Sequence, residues 1–293
     1  MLTTDQWQEN IIDSWRPGSL ILTSGGRLAR QLQHRYRLQQ LKEGHTSWCP
    51  LEARSLNGWL NQCWHNVWED EAPAGSWLRL HLWHEIVRNN PPPAELPLDL
   101  PLCQTLDQTY EVLLRYRLDP SETQYPSPLI SWRQHVCKEF ISALRDVNRW
   151  HPATLPLKIA EIIHSGRLAL PTSLILAAFE AVAPIEEEFF RVVSQKTDVA
   201  AFPLPKEKPG NVHAVTLPDQ KQEILYLGQK LLCSCQELRP GSIGVVVPNL
   251  ELYAHVLRRT LNTLLGQRLT PQEETFNITL GTPLLEHPLV QAA

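Results

Sequence analysis

The sequence has no Cys-x-x-Cys pair, no His-Glu-x-x-His helix, and no Ser-His-Asp or Cys-His arrangement. These gaps argue against a structural zinc site, a metalloprotease centre and a nucleophilic triad. No apolar run is long enough to span a bilayer. The opening MLTTDQWQENIIDSW is acidic and lacks the apolar core of a secretory signal. Positive charge is not in excess: 27 Lys and Arg stand against 31 Asp and Glu, a formal charge of −4. Any grip on nucleic acid must therefore come from a local basic patch. The 6 cysteines are scattered, and Cys233 and Cys235 flank one serine on an expected helix, which points their side chains apart. All read as reduced thiols, mostly buried, in a cytoplasmic protein. No catalytic residue, metal or cofactor is expected in this chain.

What is present is an ordinary globular composition, 43% hydrophobic and 20% charged over 293 residues. LILTSGGRLARQL (Leu20 to Leu32) passes from an apolar run, through two glycines, into a helical pattern. Ser19 to Ser24 reads as a central strand. The helix after it buries Leu28, Leu32 and Tyr36, four apart. Thr46 to Leu51 reads as a second strand. Ser55 or Asn57 then caps a helix whose face carries Leu56, Leu60, Cys63 and Val67. Trp77 to Val87 is helical, and the proline-rich NNPPPAELPLDLP is a loop. In WRQHVCKEFISALRDVNRW the stripe is Trp132, Val136, Phe140, Ala143 and Val147. Thr172 to Phe179 and Asp198 to Pro205 read as strands, with the acidic-start helix PIEEEFFRVV between them. EKPGN (Glu207 to Asn211) is the linker candidate. Beyond it VHAVTLP and GSIGVVVPN read as strands, each followed by a helix. The closing LLEHPLVQAA reads as an apolar helix without a stop signal, as if the chain were the front of a longer one.

The expected fold class is therefore α/β, a parallel sheet with a large helical insertion and then the start of a second α/β segment. The first domain is placed at residues 1–205, with its core at about 17–75 and 170–205 and the insertion at about 76–169; the second starts at 211 and runs to 293.

The Ser24, Gly25, Gly26, Arg27 turn sits where a phosphate loop would be. A working loop needs room to wrap a phosphate in backbone N–H groups, a Lys for the β/γ charge and a hydroxyl for Mg²⁺. This turn is short and has no Lys, and an Arg fork does not replace a compact ammonium. Its helix N-terminus could hold a phosphate, or the glycines could simply ease the strand-to-helix turn. Arg27, Arg30, His34 and Arg37 recur at helical spacing as a basic face. Such a face either contacts a nucleic-acid backbone or is merely solvated. Among the 10 tryptophans, Trp64 and Trp68 read as core or interface, while Trp59 is open between core and base stacking.

Six stretches together resemble the N-terminal part of the AddB-like (RexB/RecC-related) DNA-repair proteins: LILTSGGRLARQLQHRY, WCPLEARSLNGWLNQCW, LILAAFEAVAPIEEEFF, LPDQKQEILYLGQKLL, IGVVVPNLELYAHVLRRTL and FNITLGTPLLEHPLVQAA. They occur in family order across nearly the whole chain. The resemblance implies RecA-like, P-loop-type domains of a UvrD-type helicase fold, with a PD-(D/E)XK nuclease beyond residue 293. In active members the strand matching LILAAFEA ends in an Asp-Glu pair; here Ala177, Ala178 and Phe179 stand there, with Glu180 late. An arginine facing the γ-phosphate is matched here by Tyr253, Ala254 and His255, with Arg258 and Arg259 a turn further on. The resemblance thus implies a helicase scaffold without its motor, binding DNA (single strands or duplex ends) and a helicase partner subunit. The DNA contacts would be Arg27, Arg30, His34, Arg37 and Arg54. Two other readings stand beside it: a divergent DNA-dependent ATPase, and a protein-interaction module without DNA binding.

Overall fold

Helix α1 (Thr4–Ser14) opens with reciprocal capping: the Thr3 hydroxyl accepts from the Gln6 N–H while the Gln6 side chain accepts from the Thr3 N–H. The chain then turns at Gly18, whose φ of +90° favours glycine and whose Cβ would stand 3.3 Å from the Thr172 hydroxyl. Strand β1 (Ser19–Thr23) follows, buried at every position. Its continuous apolar run is the signature of a strand covered on both faces. This geometry belongs to a computed structural model that describes residues 3–93, 99–119, 127–205, 210–237, 243–265 and 278.

After β1 come α2 (Gly26–Lys42), β2 (Ala53–Ser55) and α3 (Leu56–Val67). The second strand lies later than the expected Thr46 to Leu51, because only residues 53–55 reach into register with β1. Leu51 is still buried, packed against the sheet outside any strand. Ser55 is the cap of α3, its hydroxyl accepting from the Gly58 N–H. Strand β3 (Ala72–Pro73), α4 (Ser76–Asn89), α5 (Leu100–Arg115), α6 (Pro128–Asp146) and β4 (Arg149–Trp150) form the middle of the chain. The apolar stripe of α6 turns towards Cys137 and Leu144, leaving Val147 exposed, because the helix ends at Asp146. Then come α7 (Leu155–His164), β5 (Ser173–Ala177), α8 (Pro184–Ser194) and β6 (Asp198–Phe202).

The four strands of the main sheet run in the order β2-β1-β5-β6, all parallel. Helices cover both faces. On one, Ile21, Ala53, Ile175 and Ala177 pack against Trp7 and Ile11 of α1 and Ala29 and Leu32 of α2. On the other, Leu20, Leu22 and Leu174 pack against α3, α7 and α8. Alternation along each strand divides the core in this way. Helices α4, α5 and α6 hold a separate core around Trp83, Tyr110 and Phe140, in which the Trp83 and Phe140 rings stack at 4.0 Å. The β3–β4 pair joins this helical insertion to the sheet layer as a neck.

The chain divides into two units, Met1–Lys208 and Pro209–Ala293. In the second, α9 (Gln220–Glu237) and α10 (Leu250–Leu265) pack through Ile224, Leu257 and Leu261. The expected strands VHAVTLP and GSIGVVVPN are not strands where they are described; Val212 and Val246 are about nine-tenths exposed. An apolar run becomes a strand only with a neighbour to share its backbone hydrogen bonds. Part of the Glu207–Asn211 linker, the Cys233–Cys235 comparison and the closing LLEHPLVQAA lie outside the described residues or side chains. Among the described residues no helix is long and apolar enough to cross a membrane.

Candidate functional site

In an open parallel sheet, ligands sit beyond the carboxyl ends of the strands where the order reverses. Here β1 is followed by β2 on one side and is flanked by β5 on the other, so the reversal lies between β1 and β5. The residues at that crevice are Ser24, Gly25 and Gly26 after β1, and Ala178, Phe179 and Glu180 after β5.

The β1 turn is tied down from below. The buried Thr23 hydroxyl lies 2.9 Å from the Gly25 carbonyl and 3.2 Å from that of Arg54, which holds the turn to β2. Gly25 is extended, with φ −147° and ψ 149°, and a Cβ on Gly25 or Gly26 would meet nothing within 4 Å. Neither backbone strain nor packing calls for these glycines. Their effect is to leave the first amides of α2 uncovered. Helix α2 starts with no side-chain cap and no acid in its first turn, so its positive end is not offset internally.

Arg27, Arg30, His34 and Arg37 are all exposed on α2. The Arg30 Nε lies 3.3 Å from the Gly26 carbonyl, which folds that guanidinium back to the first turn. Among the described residues, none of these three arginines has a carboxylate within ion-pair distance. Arg35, on the flank of the same helix that faces α1, is instead held by Asp5 at 2.6 Å and Glu9 at 2.8 Å, and those bonds raise its pKa above the ordinary guanidinium value. Arg54 does not join the stripe. Its neighbour Ala53 faces α2, so Arg54 points to the other side of the sheet, where its charge acts on Cys63 of α3. The expected five-residue cluster is thus four residues on one face and one on the other.

At the end of β5 the chain turns sharply. Ala178 has a left-handed φ of 62° and its N–H donates to the Phe202 carbonyl of β6. Phe179 then turns inward against Phe190, with ring centroids 5.5 Å apart, and Glu180 is left exposed. At this end of β5 the chain presents Ala178 and Phe179, and the first carboxylate is the exposed Glu180. Among the described residues, no group of three or more His, Cys, Asp or Glu is placed to hold a metal ion.

Two tryptophan readings narrow. Trp59 is buried and meets Phe189 edge-on at 6.0 Å, so it is core and unavailable for stacking on a base. Trp68 is 92% exposed, because α3 stops at Val67 and Trp68 takes a left-handed conformation beyond it.

One polar cluster went unread in the sequence. Asp107 lies at an apolar-stripe position of α5, between Cys103 and Tyr110, and is buried. Arg79 of α4 grips both of its oxygens at 3.0–3.1 Å, the Trp83 indole N–H donates to it at 3.2 Å, and His151 Nε2 stands 3.5 Å away. Burial pushes the Asp107 carboxyl up, but the nearby His151 and the hydrogen bonds and charge of Arg79 outweigh it and hold it at about 2. An acid on an apolar stripe is the signal that marks such a pair.

The sequence matches no protein-family model and no curated protein.

Proposed function

We propose that this chain is a non-catalytic, helicase-like scaffold that grips the sugar-phosphate backbone of DNA along α2. In this reading the parallel sheet is RecA-like, and the chain is the front of a longer bacterial repair helicase/nuclease that works in the cytoplasm with a partner subunit. The observation that carries it is the start of α2: an uncapped helix end, bare glycine amides, and Arg27, Arg30 and Arg37 exposed without carboxylate partners among the described residues. Together these raise a positive potential at the crevice between β1 and β5, and its complement is a phosphate. His34 lies on the same stripe. The short turn without a Lys, and Ala178 and Phe179 at the end of β5, support a role in binding over one in phosphoryl transfer.

Salt titration of DNA binding, read by fluorescence anisotropy, tests the reading. Arg27→Ala, Arg30→Ala and Arg37→Ala are each expected to flatten the slope of log K against log salt by about one unit. Parent-like binding by the triple variant would remove α2 from the interface. Saturable Mg·ATP binding with steady phosphate release would instead establish the divergent ATPase. Absence of DNA binding at low salt, together with stable pull-down of a helicase subunit, would establish the interaction module.

A further inference from the structure

All 10 tryptophans lie among the described residues, and only Trp68 and Trp77 are exposed, at 92% and 78%. Both stand beside the β3–β4 neck. Trp68 follows α3, one turn after Trp64, whose ring meets Trp150 of β4 at 4.8 Å. Trp77 lies in the first turn of α4, three residues beyond Ala74, whose N–H donates to the Trp150 carbonyl at 2.8 Å.

Neither side chain is exposed because its surroundings are loose. Trp68 holds a left-handed backbone, φ 55° and ψ 53°, which bulky residues avoid. The segment after it is fastened by Glu69 to Arg167 and by Glu71 to Lys158 at 2.9 Å. Two residues past Trp77, Arg79 is fixed by Asp107 and by the Ala74 carbonyl at 2.7 Å. The fold holds two large aromatic faces out in water on firm supports.

The acids that follow Trp68 are largely compensated. Glu69 is paired with Arg167 and Glu71 with Lys158, and Arg149 stands in strand register with Ala72. A phosphate chain gains little net attraction there, whereas the π-face of an unpaired base gains by stacking on indole. The helix α3, 12 residues long, carries the neck roughly 18 Å from the carboxyl edge of the sheet, on the face opposite α2.

We propose that Trp68 and Trp77 form a stacking platform for unpaired nucleobases, a second nucleic-acid surface that reads bases where α2 reads phosphates. This extends the nucleic-acid reading above, but it has its own test. Three probes are titrated into the full chain: an oligothymidylate, an abasic oligonucleotide of equal length, and an uncharged thymine peptide nucleic acid. The readout is tryptophan emission, with anisotropy for affinity. Oligothymidylate and peptide nucleic acid are expected to quench the emission, and the abasic strand is not.

W68A/W77A is expected to abolish quenching and weaken oligothymidylate binding by roughly 5- to 100-fold, with abasic binding and the salt slope unchanged; W68F/W77F retains most of the affinity. R27A/R30A/R37A is expected to keep the quenching by peptide nucleic acid while losing the abasic strand. Parent-like quenching in W68A/W77A, or no quenching of the parent by either base-bearing probe, overturns the platform and leaves the tryptophans as anchors for protein. Loss of abasic binding by the parent, with quenching by peptide nucleic acid intact, overturns the α2 reading alone.

Discussion

Two strand-to-helix turns stand side by side at the carboxyl edge of one sheet and treat charge in opposite ways. After β5, α8 starts with Pro184, and Glu186 reaches back to accept from the Ala183 N–H at 3.2 Å. Glu186 also meets Arg115 at 3.3 Å, and Glu188 meets Arg191 at 2.6 Å. The positive helix end is offset by acids, and the acids are offset by arginines. After β1, α2 has glycine where a cap would be, no acid in the first turn, and arginines that face solvent. This chain does pair its charges elsewhere, to the extreme of Asp107 and Arg79 in its interior. At α2 the uncapped end coincides with a run of solvent-facing arginines on the same helix, and that coincidence is why it is read as a surface for something outside.

The largest expected effect is at the fully closed end of this contrast. Asp107→Ala leaves the Arg79 guanidinium buried without its acid, and is expected to cost about 3–5 kcal/mol in urea unfolding. The same pair predicts an acid dependence. A carboxyl near 2 when folded, against roughly 3.9 unfolded, favours the folded state above about pH 4 and loses that contribution as pH falls through 2. The parent is thus expected to lose about 2 kcal/mol across that window relative to Asp107→Asn, and parallel pH profiles would show that the pair does not set the carboxyl.

Smaller effects separate the two turns directly. Glu186→Ala removes the return bond to Ala183 and the Arg115 contact, and is expected to lower stability by about 1 kcal/mol. Arg27→Glu should do the reverse at α2. It supplies the missing acid and is expected to raise stability by about 0.3–1 kcal/mol in thermal melts while weakening DNA binding. Gain in one readout with loss in the other is the signature of a site; loss in both would mean that Arg27 serves the fold.

Much of the fold was legible locally. The strand β1 follows from an unbroken apolar run, and the start of α3 from Ser55. The burial of Val136 and Phe140 follows from the helical period of α6. Failures came where the outcome depends on a distant neighbour. β2 could not be placed without its register to Ile21, Leu22 and Thr23. VHAVTLP reads like a buried strand, yet Val212 is exposed because no strand lies against it among the described residues. Trp59 and Trp68 lie nine residues apart, but α3 ends between them and sends one to the core and the other to water.

At the candidate site, the sequence supplied the arginine spacing, the glycines and the missing Lys. The tertiary structure decided which charges were left over. The partners of Arg35, Arg79, Lys158 and Arg167 lie far along the chain, and whether Arg54 shares a face with Arg37 depends on strand alternation across a sheet. Side-chain periodicity is fixed by backbone geometry over a few residues, so it can be read from sequence. Charge compensation depends on distances between segments, which only the folded chain sets.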